Sequence, residues 1–155
     1  MRTIAQLLGD CPVFAGLGDE TLDRLAGCGQ DVRFAAGERL FREGDPAGTF
    51  FVLRHGAVAL EIVAAGRRPL VLETLHDGDV AGWSWLVPPY RSAFDARAVE
   101  ATKAVAMDGA CVRATCEADP ALGYALQQRF IPVIVERLQA TRLRLLNVYG
   151  GPHGG

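Results

Sequence analysis

The chain has 155 residues, of which 50% are hydrophobic and 22% are charged, and its formal net charge is −2. This length and composition are typical of one globular domain with a single core, and they exclude a disordered chain. The slightly acidic balance argues against a nucleic-acid-binding surface, which would need a clustered basic excess. No apolar run approaches the ~20 residues that span a bilayer, and the N-terminus lacks a signal peptide's apolar core, so we expect a cytoplasmic protein without membrane contact.

The first thirty residues predict helical structure. Leu22, Leu25 and Ala26 form an apolar i, i+3, i+4 set that two acidic residues precede and Gly27 follows as a stop. Four cysteines are spread along the chain, with no Cys-x-x-Cys pair and no common zinc or iron–sulfur spacing. In a reducing compartment such residues are usually free thiols buried as small hydrophobic side chains. We therefore predict no metal site and free thiols at Cys11, Cys28, Cys111 and Cys116.

From about Asp31 the sequence changes to short runs rich in Val, Phe and Leu between glycines. Turn signals every ~8–12 residues favour a sandwich or barrel over a βαβ sheet. The continuous run Thr49–Leu53 predicts a strand covered on both faces, whereas Glu61 and Glu73 are expected to be exposed strand residues. The predicted strands are Val32–Phe34, Leu40–Phe41, Thr49–Arg54, Val58–Val63, Leu70–Leu75, Phe94–Val99 and Thr102–Met107.

The end of the chain predicts a long helix. Apolar residues recur at steps of three and four and indicate a helix of roughly 28 residues from Pro120 to Tyr149, which Pro132 should kink or split near Phe130. Residues 150–155 are predicted to be a disordered tail. The late basic residues are expected to form a solvated helix face and not a DNA contact. They are Arg129, Arg137, Arg142 and Arg144.

Four segments, in this order and spacing, carry a resemblance to a known family: Val13–Leu17, Ala36–Asp45, Phe51–Val58 and Gly78–Gly82. Together with the order of the elements, they make nearly the whole chain resemble the cyclic-nucleotide-binding domain of the catabolite activator protein superfamily. The resemblance implies a mainly β fold, a β-roll (double-stranded β-helix or jelly roll) with flanking helices. The expected single domain comprises a helical lead-in at 1–30, the roll at 31–108 and C-terminal helices at 109–149.

The segment Gly78–Arg97 contains an irregular stretch inside an otherwise regular β-domain, which is where a binding site is expected. In the family, this cassette holds a cyclic nucleotide: the phosphate rests on the N–H groups of a short helix and on an Arg, and a Glu binds the ribose hydroxyl. By resemblance, the ligand-binding residues would be Gly82, Trp83, Ser84, Trp85, Tyr90, Arg91, Ser92 and Ala93.

The cassette departs from the family pattern at two points. Trp83 stands at the position of the ribose-binding Glu, and an indole offers one donor and no acceptor. Pro88 and Pro89 lack the N–H groups that would bind an anion. Arg91 is the foremost candidate for the phosphate-binding Arg, the alternatives being a surface position or an ion pair with Asp95. Three outcomes stay open: cyclic AMP or cyclic GMP, another small ligand of anionic and aromatic character, or a pocket that its own aromatic side chains fill.

Neither catalysis nor direct DNA binding is expected. The histidines lie far apart without a motif, Ser84 is not in a Gly-x-Ser-x-Gly elbow, and there is no P-loop or His-rich metal site of the kind that cupin enzymes use. The chain ends six residues after Tyr149, which leaves no room for a helix-turn-helix unit. The long helix either packs on its own roll or forms a homodimer, as it does in the family. We predict a regulatory ligand-sensing module that signals to an effector protein, with a ligand-free interaction or scaffold domain as the alternative.

Overall fold

Within the part of the chain that the structure describes, eight strands form two four-stranded antiparallel sheets that make the β-roll. The computed structural model describes residues 2–149. The sheets have the strand orders β1-β8-β3-β6 and β2-β7-β4-β5. The strands are β1 (Gly29–Phe34), β2 (Arg39–Phe41), β3 (Thr49–His55), β4 (Val58–Ile62), β5 (Leu70–Leu75), β6 (Val80–Ala81), β7 (Asp95–Ala98) and β8 (Thr102–Asp108). The seven predicted strands are all present, with ends shifted by a few residues, and only the two-residue β6 was not predicted.

Helices pack against the first sheet, and one of them also contacts β5 of the second sheet. They are α1 (Ile4–Asp10), a 3₁₀ turn (Pro12–Phe14), α2 (Asp19–Ala26), a second 3₁₀ turn (Ser84–Leu86), α3 (Gly109–Ala118) and α4 (Pro120–Tyr149). Strand β3 lies between the roll interior and these helices. Since successive side chains of a strand point to opposite faces, the side chains of β3 alternate between two cores. Phe50 and Val52 pack against the helices, whereas Phe51 and Leu53 point into the roll. The prediction that this strand is covered on both faces is confirmed.

The prediction of four free thiols is wrong, because Cys28 and Cys111 form a disulfide with their Cα atoms 5.6 Å apart. The two cysteines are 83 residues apart in sequence, so their spacing gave no sign of the pairing. They meet because β1 pairs with β8, and Gly29 lies opposite Met107. Cys28 thus stands just before β1 and Cys111 just after β8. The other two cysteines, Cys11 and Cys116, are free thiols.

The sequence predicted that Glu61 is an exposed strand residue, and this prediction is wrong: Glu61 is completely buried. Its carboxylate accepts a hydrogen bond from Arg97 Nη2 at 2.7 Å and one from Arg39 Nη1 at 3.5 Å. Arg39 also bonds Asp95 at 2.9 Å, and Asp95 accepts the backbone N–H of Glu43. Two arginines and two carboxylates therefore compensate one another on this sheet, which is the condition under which buried charges are tolerated. Because Asp95 pairs with Arg39, the alternative of an Arg91–Asp95 ion pair is also wrong.

Helix α4 is one continuous helix of 30 residues that Pro132 does not split. Proline removes one backbone hydrogen bond, the one to the carbonyl of Gln128. Both residues are exposed, so water can reach that carbonyl, while burial of Phe130 holds the preceding turn against the core. No helix within residues 2–149 is both long enough and apolar enough to cross a bilayer. The predicted tail at 150–155 lies outside the described residues.

Candidate ligand-binding site

The chain enters the candidate site through a tight turn between β5 and β6. The N–H of Gly78 donates to the carbonyl of Leu53 at 2.8 Å, and the Asp79 carboxylate accepts the N–H of His76 at 2.9 Å. These bonds dock β6 on β3, with Val80 opposite Val52. Gly82 then adopts a φ of +100°, which a side chain would disfavour, and directs the chain off the sheet into the second 3₁₀ turn.

The loop after Gly82 covers a small cavity that also touches strands of the roll and helix α4. Its volume is about 10 Å³, roughly the space of one water molecule. Six of the eight predicted site residues line it: Gly82, Trp83, Ser84, Trp85, Ser92 and Ala93. The remaining lining comprises Phe41, Ala47, Thr49, Leu60, Phe94 and, from α4, Arg137.

The structure does not bring Tyr90 and Arg91 into this lining. Arg91 is exposed, and its Nη1 donates to the carbonyl of Gly44 at 3.3 Å. Tyr90 has a φ of +58°, and its ring lies 4.4 Å from the guanidinium carbon of Arg113. Arg113 also donates to the carbonyl of Trp85. Helix α3 therefore holds the loop at two points, through one arginine.

The two tryptophans have different surroundings. Trp85 is 1% exposed, its ring stacks on Phe50 at 4.7 Å, and Phe130 of α4 meets it edge-on at 5.2 Å. It is thus a core residue that joins the loop to α4, although it also lines the cavity. Trp83 is half-buried at the start of the 3₁₀ turn. It retains the surface that could contact a ligand ring.

Arg137 is the lining residue that the sequence analysis missed. It was expected on a solvated face, but it is only 7% exposed. Its Nη2 donates to the carbonyl of Val80 at 2.8 Å, and its Nη1 lies 3.6 Å from Oε1 of Glu73. Burial raises the pKa of the Glu73 carboxyl, an effect that outweighs the lowering by nearby Arg137. A signal was present: Arg137 follows Phe130 and Val133 at steps of three and four, so it occupies a position of the buried apolar stripe.

Residues 31–119 match the family model described as the cyclic nucleotide-binding domain. The chain belongs to the cyclic nucleotide-binding domain family. The resemblance noted from the sequence and the predicted β-roll are both confirmed.

Three relatives illustrate the range of this cyclic nucleotide-binding domain. The chain is 26% identical over 138 residues to the HTH-type transcriptional regulator Cmr of Mycobacterium tuberculosis (strain CDC 1551 / Oshkosh), covering 89% of this chain and 54% of Cmr. It therefore spans about half the length of that relative. A protein of Geobacter metallireducens GS-15, provisionally described as cyclic nucleotide-binding, is 28% identical with a TM-score of 0.77, covering 89% of this chain and 99% of the other. The N-terminal domain of a transcriptional regulator from Streptomyces coelicolor A3(2) is 26% identical with a TM-score of 0.69, over 90% and 95%.

The cavity lining contains no carboxylate among the described residues, and Trp83, where the resemblance led us to expect a ribose-binding Glu, is part of that lining. Its one charged lining residue there is Arg137, which comes from α4 and not from the loop. Residues 2–149 contain no group of three His, Cys, Asp or Glu side chains that could hold a metal ion. The cavity can therefore offer an anion one guanidinium, several hydroxyls and an aromatic wall.

Proposed function

We propose that this protein is a non-catalytic sensing module whose cavity binds a small anionic ligand, a cyclic nucleotide being the first candidate, and whose α4 reports the bound state to a partner protein. One observation carries the proposal: a single cavity is lined both by the loop at 82–93 and by Arg137 of α4. A ligand in that cavity contacts the loop and the helix together. Its family membership and the regulators among its relatives support a regulatory role.

Ligand binding requires the cavity to open. Its volume of about 10 Å³ is far below the ≈300–1,000 Å³ of ligand pockets. The half-buried Trp83 of the loop and Arg137 of α4 both line the closed cavity. A ligand that fits only the open arrangement will shift the protein toward it, by as much as its affinities for the two arrangements differ. Because Phe130 and Arg137 belong to one helix, opening displaces α4 against the roll.

Titration of the pure protein with cyclic AMP, cyclic GMP and a nucleotide panel tests the ligand proposal. We expect a ligand at 100 times its dissociation constant to stabilise the fold by about 2.7 kcal/mol, seen as a higher melting temperature. We also expect a change in tryptophan fluorescence that is kept in Trp85→Phe and lost in Trp83→Phe, because Trp83 is the partly exposed indole of the cavity. If no nucleotide changes either signal, the ligand-free scaffold becomes the better interpretation.

The exposed face of α4 supports a homodimer as the form in which the module works. Large apolar side chains recur at every seventh residue, which corresponds to one of the two apolar positions in the heptad repeat of a coiled coil. We call this set the α4 seam: Tyr124, Ile131, Leu138 and Leu145. They are 66%, 51%, 66% and 38% exposed, on a helix whose other face is buried against the core. A second copy of the chain offers the same repeat, and the apolar character of the seam suits a protein partner better than DNA.

Leu138→Glu tests the homodimer. Leu138 is at the centre of the α4 seam, so the substitution places two unpaired carboxylates in the proposed interface. We expect the dimer dissociation constant, measured by analytical ultracentrifugation, to rise by a factor on the order of 100 or more. Leu143→Glu is the matched control, because Leu143 is 60% exposed but points away from the seam. A wild-type protein that stays monomeric at micromolar concentration, or equal effects of both variants, would contradict the proposed interface.

A further inference from the structure

Arg137 is a buried cation whose hydrogen-bonding capacity is only partly used. A guanidinium has five N–H donors. The structure gives Arg137 one hydrogen bond, to the carbonyl of Val80 at 2.8 Å. Its ion pair with Glu73 is 3.6 Å long, beyond a good hydrogen bond, and Glu73 Oε1 is buried without a hydrogen-bond partner. Donors of Arg137 are thus available at the wall of the cavity.

The cation expected from the sequence lies elsewhere. Arg91 is exposed and bonded to the backbone of Gly44, outside the cavity lining. An exposed arginine contributes less to the binding of an anion than a buried arginine does, because water screens its charge. The positive charge of the closed cavity therefore comes from the C-terminal helix.

We propose that Arg137 is the anion-binding residue of the cavity, and that a phosphate group of the ligand displaces Glu73 from it. This inference rests on the proposed ligand-sensing function. A phosphate oxygen bonded directly to the guanidinium replaces a long ion pair with charge-assisted hydrogen bonds. The Glu73 side chain is 25% exposed, so the released carboxylate can turn toward water. The raised pKa of Glu73 agrees with a carboxylate whose loss of hydration on burial is not offset by its ion pair with Arg137.

The exchange also connects the ligand to the position of α4. In the closed structure, Arg137 bonds the carbonyl of β6 and faces the carboxylate of β5. A ligand that takes Arg137 from Glu73 removes one of these links between helix and roll. A partner that binds better when Arg137 is paired with Glu73 must weaken ligand binding. The ligand must weaken binding of that partner by the same factor, because coupling between two sites is reciprocal.

Three variants and four probes test the inference. The probes are cyclic AMP, cyclic GMP, neutral adenosine and inorganic phosphate, each titrated by calorimetry and by melting temperature. We expect Arg137→Met to weaken binding of the anionic probes about 10- to 100-fold, the range for a hydrogen bond to a charged group, and to change adenosine binding little. Glu73→Gln should strengthen binding of the same anions, because it removes the competitor and keeps the guanidinium. Arg129→Met is the matched control on the same helix, since Arg129 bonds the carbonyl of Ala15 and does not line the cavity.

The outcomes separate this inference from the proposed function. If cyclic nucleotides bind wild type and Arg137→Met equally, or if Glu73→Gln fails to strengthen anion binding, the role of Arg137 is refuted while the sensing function stands. If only inorganic phosphate binds, through Arg137, the anion site stands and the cyclic-nucleotide assignment fails. If no probe binds wild type or Glu73→Gln, both proposals fall. Glu73→Gln keeps the test valid even if Arg137→Met does not fold.

Discussion

Replacing Trp85 with alanine is expected to lower the free energy of unfolding by about 3–5 kcal/mol, the usual cost of removing a buried large aromatic side chain. The Trp85 ring fills the space between Phe50 of β3 and Phe130 of α4, so its loss leaves a cavity where loop, sheet and helix meet. Urea unfolding followed by far-ultraviolet circular dichroism measures the effect without depending on the indole that is removed.

Trp83→Ala is the matched control for Trp85→Ala. Trp83 is two residues away and only half-buried, at the edge of the same core. We expect it to lower the free energy of unfolding by less than about 2 kcal/mol, because less of its surface is withdrawn from water. Equal losses in the two variants would show that both indoles serve the core, and the assignment of Trp83 to a ligand would lose its basis.

Much of the fold could be predicted from local patterns. The glycines mark the turns, and residues 50–53 are apolar at every position, so both the strand and its burial on both faces were predictable. Strand β6 has only two residues, too few for any alternation to be recognised. Glu61 was misjudged because a charged residue on an alternating strand usually faces water. Its burial depends on Arg97 from β7, a partner that only the sheet register brings into reach.

The site residues that belong to one loop could be predicted from the sequence, whereas the position of a residue that depends on the packing of distant elements could not. Six predicted residues line the cavity because they belong to one loop, whose start Gly82 defines. Arg91 follows the same motif, but the loop turns its side chain to the surface, onto Gly44. Arg137 is more than forty residues from that loop, and only the docking of α4 on β5 and β6 brings it to the cavity.

Helix α4 connects the two proposals, because adjacent residues serve different surfaces. Arg137 points to the cavity, and Leu138 is exposed on the α4 seam, about 100° further round the helix. A continuous helix transmits a rotation from one surface to the other, without a change in its own structure. Pro132 does not interrupt that transmission, since α4 runs through it to Tyr149. Ligand titrations should therefore be repeated with Leu138→Glu, and a changed ligand affinity is the sign that the two surfaces are coupled.

Removing the Cys28–Cys111 disulfide is expected to lower the free energy of unfolding by about 2–4 kcal/mol, because the bond restricts the unfolded chain across a long loop. The two cysteines are 83 residues apart, so the entropic effect belongs to the upper part of that range. Cys28→Ser and Cys111→Ser should each show this loss in oxidised protein. Cys116→Ser is the control, because Cys116 is a half-buried free thiol, and it should change the stability by less than about 1 kcal/mol.

A reducing agent provides the second test of the same bond. It should lower the melting temperature of the wild type and leave that of Cys28→Ser unchanged. Helix α3 carries both Cys111 and Arg113, which holds the carbonyl of Trp85, so reduction should also speed backbone hydrogen exchange in the loop at 82–93. Disulfides are rare in the cytoplasm, and a cytoplasmic location was the expectation from the sequence. Rapid thiol trapping in fresh cell lysate tests the bond in the cell: we expect only Cys11 and Cys116 to react in denaturant without reductant, and reaction of all four cysteines would contradict the disulfide.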